Sequence, residues 1–191
     1  MGEERCRQRS GEVNAKGVKA PWSSIKMLIQ KAVDQIRERV VGVSDIYHRL
    51  LLVVGPAGSG KTASLREFAN QGKHPMVNIG LELARRLLDL TERQRILQVP
   101  KLVDDIVSET GADMVILDNT EILFNPALGQ DPLRLLLGLS RNRTIVASWL
   151  GASDGPHLTY ARPDHPEYRK YQSDDLLVIS LSDHAGEPVN C

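Results

Sequence analysis

Apolar and polar residues follow one another in this chain with a rhythm that changes several times, and each change marks an element. After Ser23 or Ser24, either of which can cap a helix, Ile25, Leu28, Ile29, Ala32, Val33 and Ile36 recur at three- and four-residue spacing. That spacing gathers them on one helical face, while Lys26, Lys31, Asp34, Arg37 and Glu38 fall elsewhere. This N-terminal amphipathic helix is expected to pack on the edge of the core, the sharper alternative being a dimerisation helix. Leu50-Leu51-Leu52-Val53-Val54 is apolar without interruption, as a strand covered on both faces reads. Residues 62–71 then read as a helix with Leu65, Phe68 and Ala69 inward, and 75–79 as a short second strand closed by Gly80.

Leu81, Leu83, Leu87, Leu88 and Leu90 suggest a helical stretch ending before Thr91, which forms a capping-box pattern with Gln94. Pro100, at a first helical position, is expected to open another helix with Leu102, Val103, Ile106 and Val107 inward, stopped by Gly111. Met114-Val115-Ile116-Leu117-Asp118 predicts a third strand, Asp131-Pro132 the start of a leucine-rich helix reaching Ser140, and Thr144 to Trp149 a fourth strand. Residues 150–174 are too long and irregular for a routine connection; Leu158 to Tyr160 suits a short strand, Pro166 to Arg169 a helical turn, and the whole segment a lid or partner surface. Leu176 to Leu181 supplies a fifth strand.

Composition draws the boundaries. Residues 1–21 hold Arg5, Arg7, Arg9, Lys16 and Lys19 against Glu3, Glu4 and Glu12, with almost nothing apolar, and are expected to form a flexible tail. A domain over 22–181 and a polar tail over 182–191 complete the layout. The 24 basic and 24 acidic residues cancel, so no overall field recruits nucleic acid or anionic lipid and partner choice falls to local patches. Cys6 and Cys191 support neither a disulfide framework nor a metal site, which suits a cytoplasmic protein. No apolar run approaches the ~20 residues that span a bilayer.

The chemistry lies where the first strand ends. Gly55-Pro56-Ala57-Gly58-Ser59-Gly60-Lys61-Thr62 follows the apolar run and opens the next helix, which is the P-loop pattern in its expected setting. A triphosphate needs many N–H donors converging on one point at the positive end of a helix. Gly55, Gly58 and Gly60 let the backbone curl, and the amides from Gly55 through Ala57, Ser59 and Ala63 are candidates for the phosphates. Lys61 reaches the β and γ phosphates, and Thr62 is placed to ligate Mg²⁺. Asp118, at the carboxyl end of a wholly apolar strand, is the expected Walker B carboxylate sharing that Mg²⁺.

Many P-loop ATPases place Glu directly after that Asp; here Asn119 stands there and can orient water without accepting its proton. Glu121 is the candidate catalytic base, against an exposed carboxylate at a helix start or a protein that hydrolyses very slowly. Ser148, ending the fourth strand, suits a contact to the γ phosphate, or equally a bond to local backbone. Arg162 and Arg169 are candidates for an arginine finger acting on a neighbour's nucleotide, with a solvated loop arginine the commoner case. Together these elements predict a three-layer α/β P-loop NTPase fold with a five-stranded, largely parallel sheet, an ASCE/AAA-like core with no room after the fifth strand for a C-terminal helical lid.

Several stretches carry a narrower likeness. They are Leu52 to Thr62, Val77 to Leu87, Leu117 to Phe124, Asp131-Pro132-Leu133, Ser140-Arg141-Asn142-Arg143-Thr144 and the Tyr160 to Tyr171 loop. This assembly, over roughly residues 45–181, resembles the BrxF family, small P-loop proteins of type 3 BREX bacteriophage-exclusion systems. The resemblance implies a bacterial phage-defence component working with a large ATPase, an adenine-specific DNA methyltransferase, a phosphatase-like protein and a helicase. Direct DNA contact and a homo-oligomer are both compatible with the sequence. The leading expectation is a slow Mg-ATP-dependent ATPase. The alternatives are a nucleotide-gated assembly module with little hydrolysis and, further off, a small-molecule kinase. The Asn/Thr-Lys-x-Asp signature that reads guanine is missing, which favours ATP.

Overall fold

The computed structural model describes residues 22–43 and 46–181; the tails expected over 1–21 and 182–191 lie outside them. In chain order the strands are β1 (Leu50–Gly55), β2 (Met76–Asn78), β3 (Met114–Asp118) and β4 (Thr144–Leu150). Three short strands follow, β5 (Ala152–Ser153), β6 (His157–Tyr160) and β7 (Arg169–Gln172), and then β8 (Leu177–Ser180). The helices are α1 (Trp22–Val41), α2 (Lys61–Gly72), α3 (Ile79–Leu87), α4 (Glu92–Ser108) and α5 (Pro132–Leu139).

β1 is buried at every position because both of its faces are covered. Leu50, Leu52 and Val54 join a core with residues of α3, α4 and α5, whereas Leu51 and Val53 join a second core with Val33 and Ile36 of α1 and Leu65 and Phe68 of α2. The two-residue period of the strand thus divides one apolar run between two layers. The main sheet runs β2-β3-β4-β1-β8, and every pairing in it is parallel rather than largely so. Helices on both faces make the expected three-layer α/β P-loop architecture. In α1 the apolar stripe sinks at Ala32, Val33 and Ile36, but Leu28 stays 39 % exposed.

Three local expectations need correction. Gly80 does not close β2: Asn78 caps α3 by accepting from Leu81 N–H at 2.9 Å, so Gly80 lies in the first helical turn. Pro100 does not open a helix. The Thr91–Gln94 capping box starts α4 at Glu92 and the helix runs through Pro100. Proline has no N–H to give to the carbonyl four residues earlier, and that carbonyl, of Ile96, instead accepts from Gln130 Nε2 at 2.7 Å.

The third correction concerns residues 150–174, which form an antiparallel sheet, β5-β6-β7, rather than an irregular loop. Arg169 begins β7 instead of sitting in a helical turn, and Tyr168 N–H closes the preceding turn on His165 O at 2.9 Å. This small sheet is stitched to the main one at Gly151, whose N–H donates to Gly55 O at 3.2 Å. A Cβ on Gly151 would drive into the carbonyl of Thr159. Gly151→Ala is therefore expected to cost about 1–3 kcal/mol and to lower Tm by roughly 2–12 °C in thermal denaturation; an unchanged Tm would show that β6 can slide aside.

Candidate functional site

The glycine-rich segment makes its turn at the carboxyl end of β1. Gly58 and Gly60 take left-handed backbone angles, φ 81° and 88°, which residues with a Cβ rarely adopt. Gly55 is required for a different reason: a Cβ there would approach Ser59 Oγ to 2.5 Å and Leu181 O to 2.6 Å. Gly60 caps α2 with backbone alone, and the helical ladder starts with Ser64 N–H on Gly60 O at 2.9 Å. The amides of Lys61, Thr62 and Ala63 precede that first bond, so this helix end offers N–H donors and a partial positive charge to an anion.

Lys61 is 8 % exposed, and its ammonium donates to Gly55 O and Pro56 O, each at 2.7 Å. The charge is thereby held across the mouth of the loop. Ser59 Oγ is buried there without a hydrogen-bond partner among the described residues, and so is Ser148 Oγ. Register aligns the rest. Ser148 of β4 pairs with Val53 of β1, and Leu117 of β3 pairs with Ala147 of β4, so Asp118 falls abreast of Ser148. Two strand spacings, about 10 Å of backbone, separate β3 from β1. Asp118 is 4 % exposed and makes no ion pair among the described residues. A buried carboxylate with no such partner, on the same sheet edge as a helix start and two orphaned hydroxyls, is a chemical setting for a cation and its phosphate.

The structure therefore gathers Gly55, Ala57, Gly58, Ser59, Gly60, Lys61, Thr62, Ala63, Asp118 and Ser148 along the carboxyl edge of adjacent strands. Glu121 follows Asp118 by three residues. It lies, half-buried, in a 3-10 turn spanning Thr120–Phe124 that follows Asn119, itself in the left-handed region at φ 56°. Asparagine tolerates that conformation better than most residues. Burial first, then Glu167 and more weakly Glu121, push the Tyr160 phenol well above its ordinary range. Glu121 is thus within electrostatic reach of the small sheet.

Sequence reasoning missed three features here. Thr120 is fully buried and its hydroxyl donates to Ser148 O at 2.6 Å, tying the turn after β3 to β4. Gly80 lets that turn pack against α3, since a Cβ would meet Asn119 O at 3.0 Å. Phe124 stacks on Tyr160, ring centroids 3.5 Å apart, and meets Trp149 edge-on at 4.9 Å. Only the Asn at position 119 carried a local signal for any of these. A cavity of about 370 Å³ lies away from the loop, lined by Ala84, Leu87, Leu88, Arg95, Ile122 and Leu128 among others. Among the described residues no helix is long and apolar enough to cross a membrane.

No family model and no curated protein matches the sequence. Solved structures do. Part of the Drosophila ORC bound to DNA is similar at 19 % identity over 84 % of this chain and 45 % of that one, with a TM-score of 0.43. PCH-2 of C. elegans is similar at 18 % identity over 69 % and 37 %, TM-score 0.35. AMPPCP-bound DnaA from Aquifex aeolicus is similar at 15 % over 60 % and 36 %, TM-score 0.37. The chain spans less than half the length of each of these proteins.

Proposed function

We propose that this chain binds Mg-ATP at the Gly55 to Ala63 loop and hydrolyses it slowly, as one component of a BREX-like bacterial phage-defence complex. One observation carries the nucleotide part: a glycine-turned helix start, a buried lysine and two orphaned hydroxyls share one sheet edge with a carboxylate that has no ion-pair partner among the described residues. The amides at the start of α2 bind phosphate oxygens, and Lys61 transfers its hydrogen bonds from the loop carbonyls to the β and γ phosphates. Thr62 and Asp118 are the residues that would hold Mg²⁺, which neutralises phosphate charge when bound. Ser148 Oγ donates to the γ phosphate, and Glu121 accepts the proton of the attacking water.

The defence setting rests on the sequence resemblance alone. With it come the proposed partners, a large ATPase, a DNA methyltransferase, a phosphatase-like protein and a helicase. Self-association is part of the same reading, with Arg162 of the β6–β7 connection or Arg169 of β7 reaching a neighbour's nucleotide.

The second reading, a nucleotide-gated assembly module, has one observation in its favour. Asn119, whose amide cannot accept a proton, occupies the place after Asp118 in a left-handed turn. Turnover by Glu121→Gln decides between them. A working base contributes about 10²–10⁴-fold, so steady-state phosphate release is expected to fall at least that far while Mg-ATP affinity is unchanged. Equal rates in the two proteins would select the assembly module, and phosphate transfer to an added metabolite would select a kinase.

A further inference from the structure

The opposite edge of the sheet, at the amino ends of β1 and β4, carries the Arg141-Asn142-Arg143 turn, which the nucleotide chemistry does not use. There Arg49 N–H donates to Ser140 O at 3.0 Å and Ile145 N–H to Arg49 O at 2.8 Å. His48 Nδ1 lies 3.1 Å from Leu137 O. These bonds fasten the segment before β1 to the turn before β4 and set Tyr47 beside Arg141. The guanidinium carbon of Arg141 sits 5.9 Å from the centre of the Tyr47 ring, within cation–π range, and Tyr47 is 73 % exposed. Arg49 Nη2 donates to Arg141 O at 3.4 Å, and Arg143 Nη2 to Ser108 Oγ at 3.0 Å. None of these three arginines forms an ion pair among the described residues. The carbonyl of Asp113, before β3, accepts from Thr144 N–H on the same edge.

We propose that this edge binds single-stranded nucleic acid, with phosphates on Arg49, Arg141 and Arg143 and an unpaired base against Tyr47. Guanidinium groups with donors to spare match phosphate oxygens. An exposed ring flanked by an arginine is the surface on which unpaired bases stack. An acidic peptide would satisfy the arginines and leave the ring without a role, and a duplex hides its base faces in the stack. The site stands about 20 Å of strand from the phosphate loop, six residues of β1 at 3.3 Å each, and does not depend on what that loop binds.

The test is fluorescence anisotropy with the full chain and labelled oligo(dT), oligo(U) and a matched duplex, each about 16 nucleotides long, over a salt series. Both single strands share the chemistry, and the tighter of the two identifies the natural strand. They are expected to bind more tightly than the duplex, the three arginines contributing about −2 to the slope of log K against log salt. Tyr47→Ala is expected to weaken binding about 5-fold or more, with Tyr47→Phe restoring it. Joint Arg141→Gln and Arg143→Gln substitution should remove about 1.4 from the slope. Tm serves as the control for folding. The proposal is overturned by binding that Tyr47→Ala leaves unchanged, by a slope that the arginine variants do not move, by equal affinity for duplex, or by polyglutamate competing as well as oligo(dT).

Discussion

Replacing Lys61 with alanine is expected to weaken Mg-ATP binding by at least about 30-fold. The magnitude follows from where the ammonium sits. At 8 % exposure, and bonded to Gly55 O and Pro56 O, it has already given up much of its water. A triphosphate entering the loop exchanges two carbonyl acceptors for charged ones without a second desolvation. Truncating one partner of a buried, hydrogen-bonded charge pair costs about 2–5 kcal/mol, or roughly 30- to 5,000-fold in affinity. Isothermal titration with Mg-ATP measures this directly. Native-like affinity in Lys61→Ala would mean that phosphate is not read at this loop, and the proposed function would go with it. The expected loss is in affinity more than in folding, because the left-handed angles at Gly58 and Gly60 and the close approach at Gly55 shape the loop independently of the lysine side chain.

The phosphate loop could be read from the sequence because its chemistry is local. A strand buried on both faces has to be apolar throughout, a sharp curl needs glycine, and the lysine follows within a few residues. The Asp118 strand was legible for the same reason, and the parallel register sets Asp118 abreast of Ser148, the polar residue expected near the end of the fourth strand. Pro100 was misread because the local rule for proline at a helix start is sound, while what permits it inside α4 lies thirty residues away. The Gln130 side chain occupies the carbonyl that Pro100 cannot serve. Periodicity sees no such partner.

The small sheet shows the same limit from another side. In β6 the alternation was present, with Leu158 and Tyr160 buried and His157 and Thr159 less so, and a short strand was expected there. Its partner β7 reads Arg-Lys-Tyr-Gln, whose apolar content is one tyrosine, so nothing local distinguishes it from a polar loop. What makes it a strand is pairing with β6 and the anchoring of Tyr171 against Trp149, ring centroids 5.8 Å apart. Thr120 was invisible for a related reason, since a buried hydroxyl spanning to Ser148 O is a property of the assembled sheet.

Trp149→Ala is expected to be the most destabilising single change in the described chain, and to act on both sheets at once. Trp149 is fully buried, donates from Nε1 to Thr159 O at 2.9 Å, and meets Phe124 and Tyr171 edge-on. Removing so large a ring from a packed site costs about 3–5 kcal/mol, which corresponds to a fall in Tm of roughly 6–20 °C; Trp149→Phe should recover most of the packing but not the indole hydrogen bond. The same pocket predicts the alkaline limb. Burial, followed by the neighbouring Asp131, pushes the Tyr171 phenol up to about 12, and burial raises Tyr160 further. Both folded values lie above the unfolded value near 10, so the contribution is fully present below about pH 10 and is lost as pH rises toward the folded values, where the unfolded chain sheds protons that the native state keeps. Thermal melts from pH 8 to 11 should therefore show native stability falling above about pH 10. In Trp149→Ala, where water reaches both phenols, that dependence should be shallower; a variant that melts like the native protein at neutral pH and keeps its full alkaline slope would mean that the aromatic cluster does not join the small sheet to β4.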